Sequence, residues 1–323
     1  MNKRKFGIKE IQEGILSGSR QWLSRGITLV ESQLHEDRQA SSELIDALIT
    51  SSGGSLRIGI TGVPGVGKST FIEAFGTFLT DQGKKLAVLS VDPSSTLTKG
   101  SILGDKTRMA ELSMNENAFI RPSPSGNSLG GVASSTRESI LLCEAAGFDV
   151  VIVETVGVGQ SETLVKEMVD FFLLLMLPGS GDELQGIKRG IMEMADGIFI
   201  NKADGNAERA KRARKDFQNA LHLYPPNRSG WKIPVEMGSA LEKKGMEEMW
   251  SQLSAFEKLT KENGFFEGQR KEQQIKWFHQ LIRQKLENDF FSSDEVTDKI
   301  KKAEAGIASA QCSVRRAVSD LFA

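Results

Sequence analysis

The sequence predicts an α/β protein with a mostly parallel, doubly wound sheet, preceded by helices and followed by a helical arm. Three observations predict it. Short runs rich in Val, Ile and Leu alternate with helical patterns from residue 56 to about 253, a glycine-rich turn joins the first run to a helix, and both ends of the chain show helical apolar spacing. Buried strands joined through helices are parallel, and such sheets hold ligands at the carboxyl ends of their strands.

In chain order, Ile8, Ile11, Ile15, Trp22, Leu23, Ile27, Val30, Leu34, Leu44 and Leu48 keep helical spacing and stop at Ser51, Ser52, Gly53, Gly54 and Ser55. Residues 1–54 are therefore expected to form an N-terminal helical extension. Strands are expected at 56–60, 86–91, 150–153, 171–177, 198–200 and 233–237, within a nucleotide-binding domain over 55–263. Beyond Gly264 the strand signal stops. Ile275, Phe278, Ile282, Leu286 and Phe290, then Val296, Ile300, Ile307, Val314, Val318 and Leu321 beyond the acidic break at Asp294 and Glu295, predict two helices over 264–323. Their apolar stripe has to be buried against the chain's own domain or a second subunit, and the pattern leaves both open.

Composition narrows the function. The 323 residues are 39% apolar and 26% charged, with a formal net charge of −1. No apolar run approaches the roughly 20 residues of a membrane span, and a near-neutral chain lacks the basic excess of a nucleic-acid binder. The basic run 209–215 is most simply a solvated helix face. Cys143 and Cys312 are the only cysteines, Cys143 within an apolar helical pattern, so no disulfide framework is expected. His35, His222 and His279 are too scattered for a structural zinc site. The start is basic (Lys3, Arg4, Lys5) but Glu10 and Glu13 interrupt it and no apolar targeting segment follows, so a cytoplasmic location is expected.

The chemistry is carried by strand ends. Gly62, Val63, Pro64, Gly65, Val66, Gly67, Lys68, Ser69 and Thr70 follow an apolar strand and open a helix, the context of a phosphate-binding P-loop. Such glycines let backbone N–H groups face phosphate, Lys68 reaches the β and γ phosphates, and Ser69 offers its hydroxyl to Mg2+. Asn201, Lys202 and Asp204 end another strand about 130 residues later. A carboxylate there accepts from the ring N–H and amine of guanine, which adenine cannot supply, so GTP and GDP are the expected substrate and product. Ser239, Ala240 and Leu241 follow a further strand and form the expected second wall of the base pocket. Asp92 and Glu154 close two strands and Asp105 lies in a loop; all three are candidate Mg2+ ligands, and Gly157 can present its N–H to the γ-phosphate. Val158 stands where Ras-type switches carry a water-orienting glutamine, with Gln160 nearby, so slow intrinsic turnover is expected. Arg108 and Lys188 can each donate a charge to the reaction or serve as plain surface groups.

These segments resemble a known family. The P-loop, the segments 90–95, 154–160 and 178–188, and the Asn201 to Asp204 motif are similar to those of metallochaperone-type P-loop GTPases of the MeaB/ArgK branch, associated with methylmalonyl-CoA mutase. Glu154 fits the glutamate that family places where other GTPases carry aspartate, and Arg270 and Trp277 also fit. The resemblance implies a chaperone that couples GTP binding and hydrolysis to cofactor loading and protection of an adenosylcobalamin-dependent acyl-CoA mutase. It further implies that 178–188 is a switch loop contacting the mutase and that the C-terminal helices form a homodimer. A P-loop small-molecule kinase is the alternative; a metal-insertion GTPase is weaker, since clustered Cys and His are lacking.

Overall fold

The structure, a computed structural model, describes residues 6–32, 34–91, 109–122, 129–155, 161–179, 189–225 and 227–322. The described residues fall into two compact units, one ending at Gln273 and one beginning at Gln274.

The first unit is organised by a parallel seven-stranded sheet. Its strands are β1 (Leu56–Gly62), β2 (Leu86–Val91), β3 (Ala118–Arg121), β4 (Val150–Thr155), β5 (Phe171–Met176), β6 (Gly197–Ile200) and β7 (Val235–Met237), in the order β3-β2-β4-β1-β5-β6-β7. Every residue of β2, β4, β5 and β6 is buried, because helices cover both faces. The mostly parallel, doubly wound expectation holds, and all six expected strands form, β2 with its expected bounds and the others with shifted ends. β4 runs through Thr155, so Glu154 lies inside the strand, while β5 stops at Met176 and β7 starts at Val235. The seventh strand, β3, was not anticipated. It has four residues, pairs only with β2, and lies between Asn117 and Pro122, with only Phe119 and Ile120 as large apolar residues to mark it.

Three helices precede the sheet: α1 (Ile8–Leu16), α2 (Arg20–Val30) and α3 (His35–Leu48). Next in chain order come α4 (Lys68–Asp81), α5 (Ala110–Met114), α6 (Leu129–Ala145), α7 (Ser161–Lys166), α8 (Arg189–Met194), α9 (Ala207–Leu221) and α10 (Met246–Glu262). One face of the sheet, with Ile58, Ile60, Val88 and Ile152, packs under Phe71, Phe75 and Leu79 of α4 and Leu253 and Phe256 of α10. The other face, with Leu89, Val151 and Val153, packs with Leu142 and Cys143 of α6 and with Ile15, Leu23, Ile27 and Leu44 of the N-terminal helices. The preface thus contributes to the core of the sheet. Arg209, Lys211, Arg212 and Lys215 of α9 are exposed while Ala210, Ala213 and Phe217 are buried, the solvated basic face expected of that run. No described helix is long and apolar enough to cross a membrane.

At the amino end of the sheet the chain is tied by buried ions. Arg57 donates to Glu144 at the end of α6 through Nε and Nη2, both at 2.8 Å. Asp170, just before β5, accepts from the Arg57 backbone N–H at 2.8 Å and from Arg270 Nε and Nη2 at 2.7 and 2.6 Å. Arg270 also donates to the carbonyls of Gly53 and Ser55, both at 2.6 Å.

Arg270 belongs to α11 (Phe265–Phe291), which is followed by α12 (Asp294–Ala308) and α13 (Val314–Leu321). The tail therefore has three helices where two were expected. Ala310 adopts a left-handed φ of 56° that ends α12, and the Ser313 hydroxyl then caps a new helix by accepting from Arg316 N–H. The boundary between the two units falls inside α11. Within the second unit Phe290 stacks on Phe322 at 4.8 Å.

Candidate active site

β1 ends at Gly62 and α4 begins at Lys68, so the glycine-rich turn sits at the carboxyl end of a central strand. Gly67 is left-handed, with φ 93°, and a Cβ there would come within 2.8 Å of Asn201 Nδ2. Glycine is required on both counts. Val66 is fully buried and pins the middle of the turn, while Pro64, Gly65 and Thr70 are exposed. Lys68 folds back across the turn and donates from Nζ to the Gly62 carbonyl at 2.9 Å. Burial pulls the Lys68 pKa down, and the negative charges of Glu154 and Glu162 oppose that shift.

Glu154 of β4 is 4% exposed and lies in register with Ile60 of β1 and Ser90 of β2. Ser69 Oγ donates to Glu154 Oε1 at 3.4 Å. That separation is close to the roughly 3 Å between neighbouring oxygens around an octahedral Mg2+ with bonds of about 2.0–2.1 Å. A hydroxyl and a carboxylate oxygen are hard donors, so this pair fits the cation that the P-loop implies. Among the described residues no group of three or more His, Cys, Asp or Glu forms a metal cluster. The other candidates from the sequence, Asp92, Asp105, Arg108, Gly157 and Lys188, lie outside the described residues, as do Gln160 and most of 178–188.

The base-binding candidates are bolted to the turn. Asn201, 2% exposed, donates from Nδ2 to the Val66 carbonyl at 2.9 Å and accepts at Oδ1 from Ala240 N–H at 3.0 Å. Lys202 takes a left-handed φ of 60° and donates from Nζ to the Gly65 carbonyl at 2.8 Å. Together these join the turn, the end of β6 and the loop after β7. Asp204 is exposed, and a hydrogen bond from Ser239 is the main reason its carboxyl is held below the usual range. Asp204, Ala203 and Ser239 line an open cleft of 820 Å³ together with Phe78, Lys243 and Lys244. Ser239 and Ala240 are buried, whereas Leu241 is 79% exposed and is not among the lining residues.

Three further residues stand near these groups. Glu162, 1% exposed on α7, adds its charge to the field at Lys68. Gly238 accepts from Ala203 N–H at 3.0 Å, and a Cβ there would meet the Lys244 carbonyl at 2.2 Å. Ser90 is the in-register neighbour of Glu154. Spacing alone marks none of them; strand pairing places Ser90 beside Glu154.

The arrangement can cradle a phosphate chain at the turn, hold a cation beside it and discriminate a base at Asp204. Comparison with known proteins gives the family. The family described as "Methylmalonyl Co-A mutase-associated GTPase MeaB" matches residues 23–295. "GTPase ArgK" of Escherichia coli strain K12 is 48% identical over 86% of this chain and 84% of its own length. The mouse (Mus musculus) "Methylmalonic aciduria type A homolog, mitochondrial" is 41% identical over 99% of this chain and 80% of its own. The crystal structure of a protein called "LAO/AO transport system kinase" superposes with a TM-score of 0.77 at 37% identity, covering 100% of this chain and 98% of that one.

Proposed function

The chain belongs to the MeaB family of methylmalonyl-CoA mutase-associated GTPases and hydrolyses GTP, and from that premise we propose that its nucleotide state governs cofactor loading and protection of an adenosylcobalamin-dependent acyl-CoA mutase. The observation that carries the nucleotide half of this reading is the three-way tie of Asn201 to the turn and to Ala240, with Asp204 beside Ser239. It supports guanine over adenine, because a site built on one exposed carboxylate requires the paired donors of guanine.

In this reading Lys68 and the N–H groups of 62–70 hold the phosphates, with Gly157 at the γ-phosphate. Ser69 and Glu154, with Asp92 and Asp105, hold Mg2+, which neutralises charge developing on the phosphates. Lys202, Ala240 and Leu241 complete the base pocket. Arg108 and Lys188 supply charge when the mutase is engaged, and 178–188 carries the signal. A ligand shifts a conformational equilibrium only through its different affinity for the two states, so the mutase must alter nucleotide affinity as much as nucleotide alters mutase affinity. The test is GTP turnover with and without the mutase. Lys188→Ala is expected to keep GTP affinity within about threefold while losing mutase stimulation, a coupling typically worth about 1–3 kcal/mol. Full stimulation in that variant removes 178–188 from the signal path, and turnover that rises with a small acceptor but not the mutase favours a kinase.

The same reading assigns 264–323 as a homodimerisation arm. It is supported by Ile275, Phe278 and Leu286, exposed at 59%, 60% and 64% on α11 at helical spacing.

A further inference from the structure

Ser90 stands one residue before the end of β2, is 3% exposed, and pairs in register with Glu154. Side chains alternate along a strand, so Ser90 shares the face of Leu86 and Val88, and Glu154 that of Val150 and Ile152. All four apolar residues belong to the core under α4. Ser90 and Glu154 therefore project side by side toward the start of α4, where Ser69 Oγ meets Glu154 Oε1 at 3.4 Å. Yet Ser90 Oγ is buried with no hydrogen-bond partner among the described residues.

A buried hydroxyl without a partner is costly, and alanine or valine would fill a strand position without that cost. The opposite face of the same strand ends offers a contrast. There Thr155 and Thr61, 0% and 1% exposed, satisfy each other, Thr155 Oγ1 donating to Thr61 Oγ1 at 2.9 Å. That pair is complete in itself. Ser90 is not, and it opens onto the place where the Ser69 hydroxyl and the Glu154 carboxylate converge. A donor left over beside two hard oxygen ligands is satisfied by the water that a cation brings with it, since Mg2+ keeps several waters when bound by only one or two protein groups.

We propose that Ser90 is a positioning residue of the cation site, its hydroxyl hydrogen-bonding a water in the shell of a Mg2+ held by Ser69 and Glu154. This rests on the reading of Ser69 and Glu154 as cation ligands. It sets Ser90 apart from a structural serine by the sign of its effects. With nucleotide and metal absent, Ser90→Ala removes an unsatisfied group and is expected to melt at or above the wild-type temperature. With GDP bound, Mn2+ is expected to bind about tenfold more weakly, the usual size of an outer-shell loss.

The experiment is electron paramagnetic resonance titration of Mn2+ into the GDP complex of the full chain, alongside thermal melts of the nucleotide-free protein, for wild type, Ser90→Ala, Ser90→Val and Glu154→Gln. Weaker Mn2+ binding in both Ser90 variants, with an undiminished melt for Ser90→Ala, is the expected result. Wild-type Mn2+ affinity in both Ser90 variants, with Glu154→Gln impaired, overturns the role of Ser90 and leaves the cation reading standing. Wild-type affinity in Glu154→Gln overturns both. A lower melt for metal-free Ser90→Ala shows that the hydroxyl has a structural partner and also overturns the proposal.

Discussion

At the amino end of the sheet, Arg57 and Arg270 divide Glu144 and Asp170 between them and draw in the carbonyls of Gly53 and Ser55, so that charges buried from water are matched by charges or by carbonyl dipoles. At the carboxyl end, Lys68 is pulled toward its neutral form by burial, Ser90 has no partner among the described residues, and Asp204 faces an open cleft. The same seven strands support both ends. One end is finished by the chain alone and the other requires what it binds, which is how stability and function come to occupy different residues of one scaffold.

That division can be broken by experiment. Asp204→Asn is expected to lower GTP affinity on the order of ten thousand-fold, as sites built around a specific hydrogen bond do, and to improve xanthosine triphosphate, whose ring carbonyl suits an amide donor. Its melting temperature should match wild type. Competitive displacement of a fluorescent GDP analogue measures the first, and unchanged GTP preference over ATP would take Asp204 out of the base pocket.

Asp170→Ala should do the reverse. It strands Arg270 and the Arg57 N–H in a buried setting, and removing one partner of a buried ion pair costs about 3–5 kcal/mol. Denaturant unfolding reads that loss, while the ratio of GTP to ATP affinity in the folded fraction should not move. A change in base preference here would mean that the two ends are coupled.

The smallest effect is expected midway between the ends, on α6. Burial pushes the Glu138 carboxyl up to about 7. The folded state therefore holds a proton that the unfolded state, with a pKa near 4.5, has released, so stability falls as pH rises from about 4.5 to 7 and stays lower above it. Glu138→Gln should abolish that fall and gain up to about 3 kcal/mol at pH 8 relative to pH 5. Parallel pH curves for variant and wild type would dismiss the effect.

How much of this was legible beforehand differs between the ends for a physical reason. The phosphate turn, Glu154 and the Asn201 to Asp204 loop could be read because local spacing encodes them: a strand, a glycine that tolerates left-handed φ, a helix start. The other six strands could be read from their apolar runs. β3 could not, since Ala118–Arg121 offers only Phe119 and Ile120 as large apolar residues before Arg121 and Pro122. The division of the tail into three helices rests on a left-handed Ala310 and a serine cap, a weak local signal inside a continuing apolar pattern. Arg270 could be noticed as fitting a family but its partner Asp170, a hundred residues earlier, could not, because nothing local joins them. Ser90 opens the segment 90–95, and nothing in its local spacing gives it a role. Only the register of β2 against β4 gives it a neighbour.

The burial of the N-terminal helices has a consequence for how the chain is made. Ile15, Leu23, Ile27 and Leu44 are fully buried, but their cluster includes Leu142 and Cys143 of α6 and Val151 and Val153 of β4, more than a hundred residues downstream of Ile15, Leu23 and Ile27. A ribosome adding about 5–20 residues per second takes roughly 5–20 seconds to produce them. For much of that interval the N-terminal helices carry an apolar stripe without the α6 and β4 residues that help to cover it in the folded chain. Close packing of α1 on α2, where a Cβ at Gly14 would collide with Trp22, gives the stripe a partial shelter in the meantime. Nascent chains shortened before α6 should therefore bind a hydrophobic-holding chaperone, and release from it should coincide with the appearance of α6 and β4, before any tail helix has been synthesised.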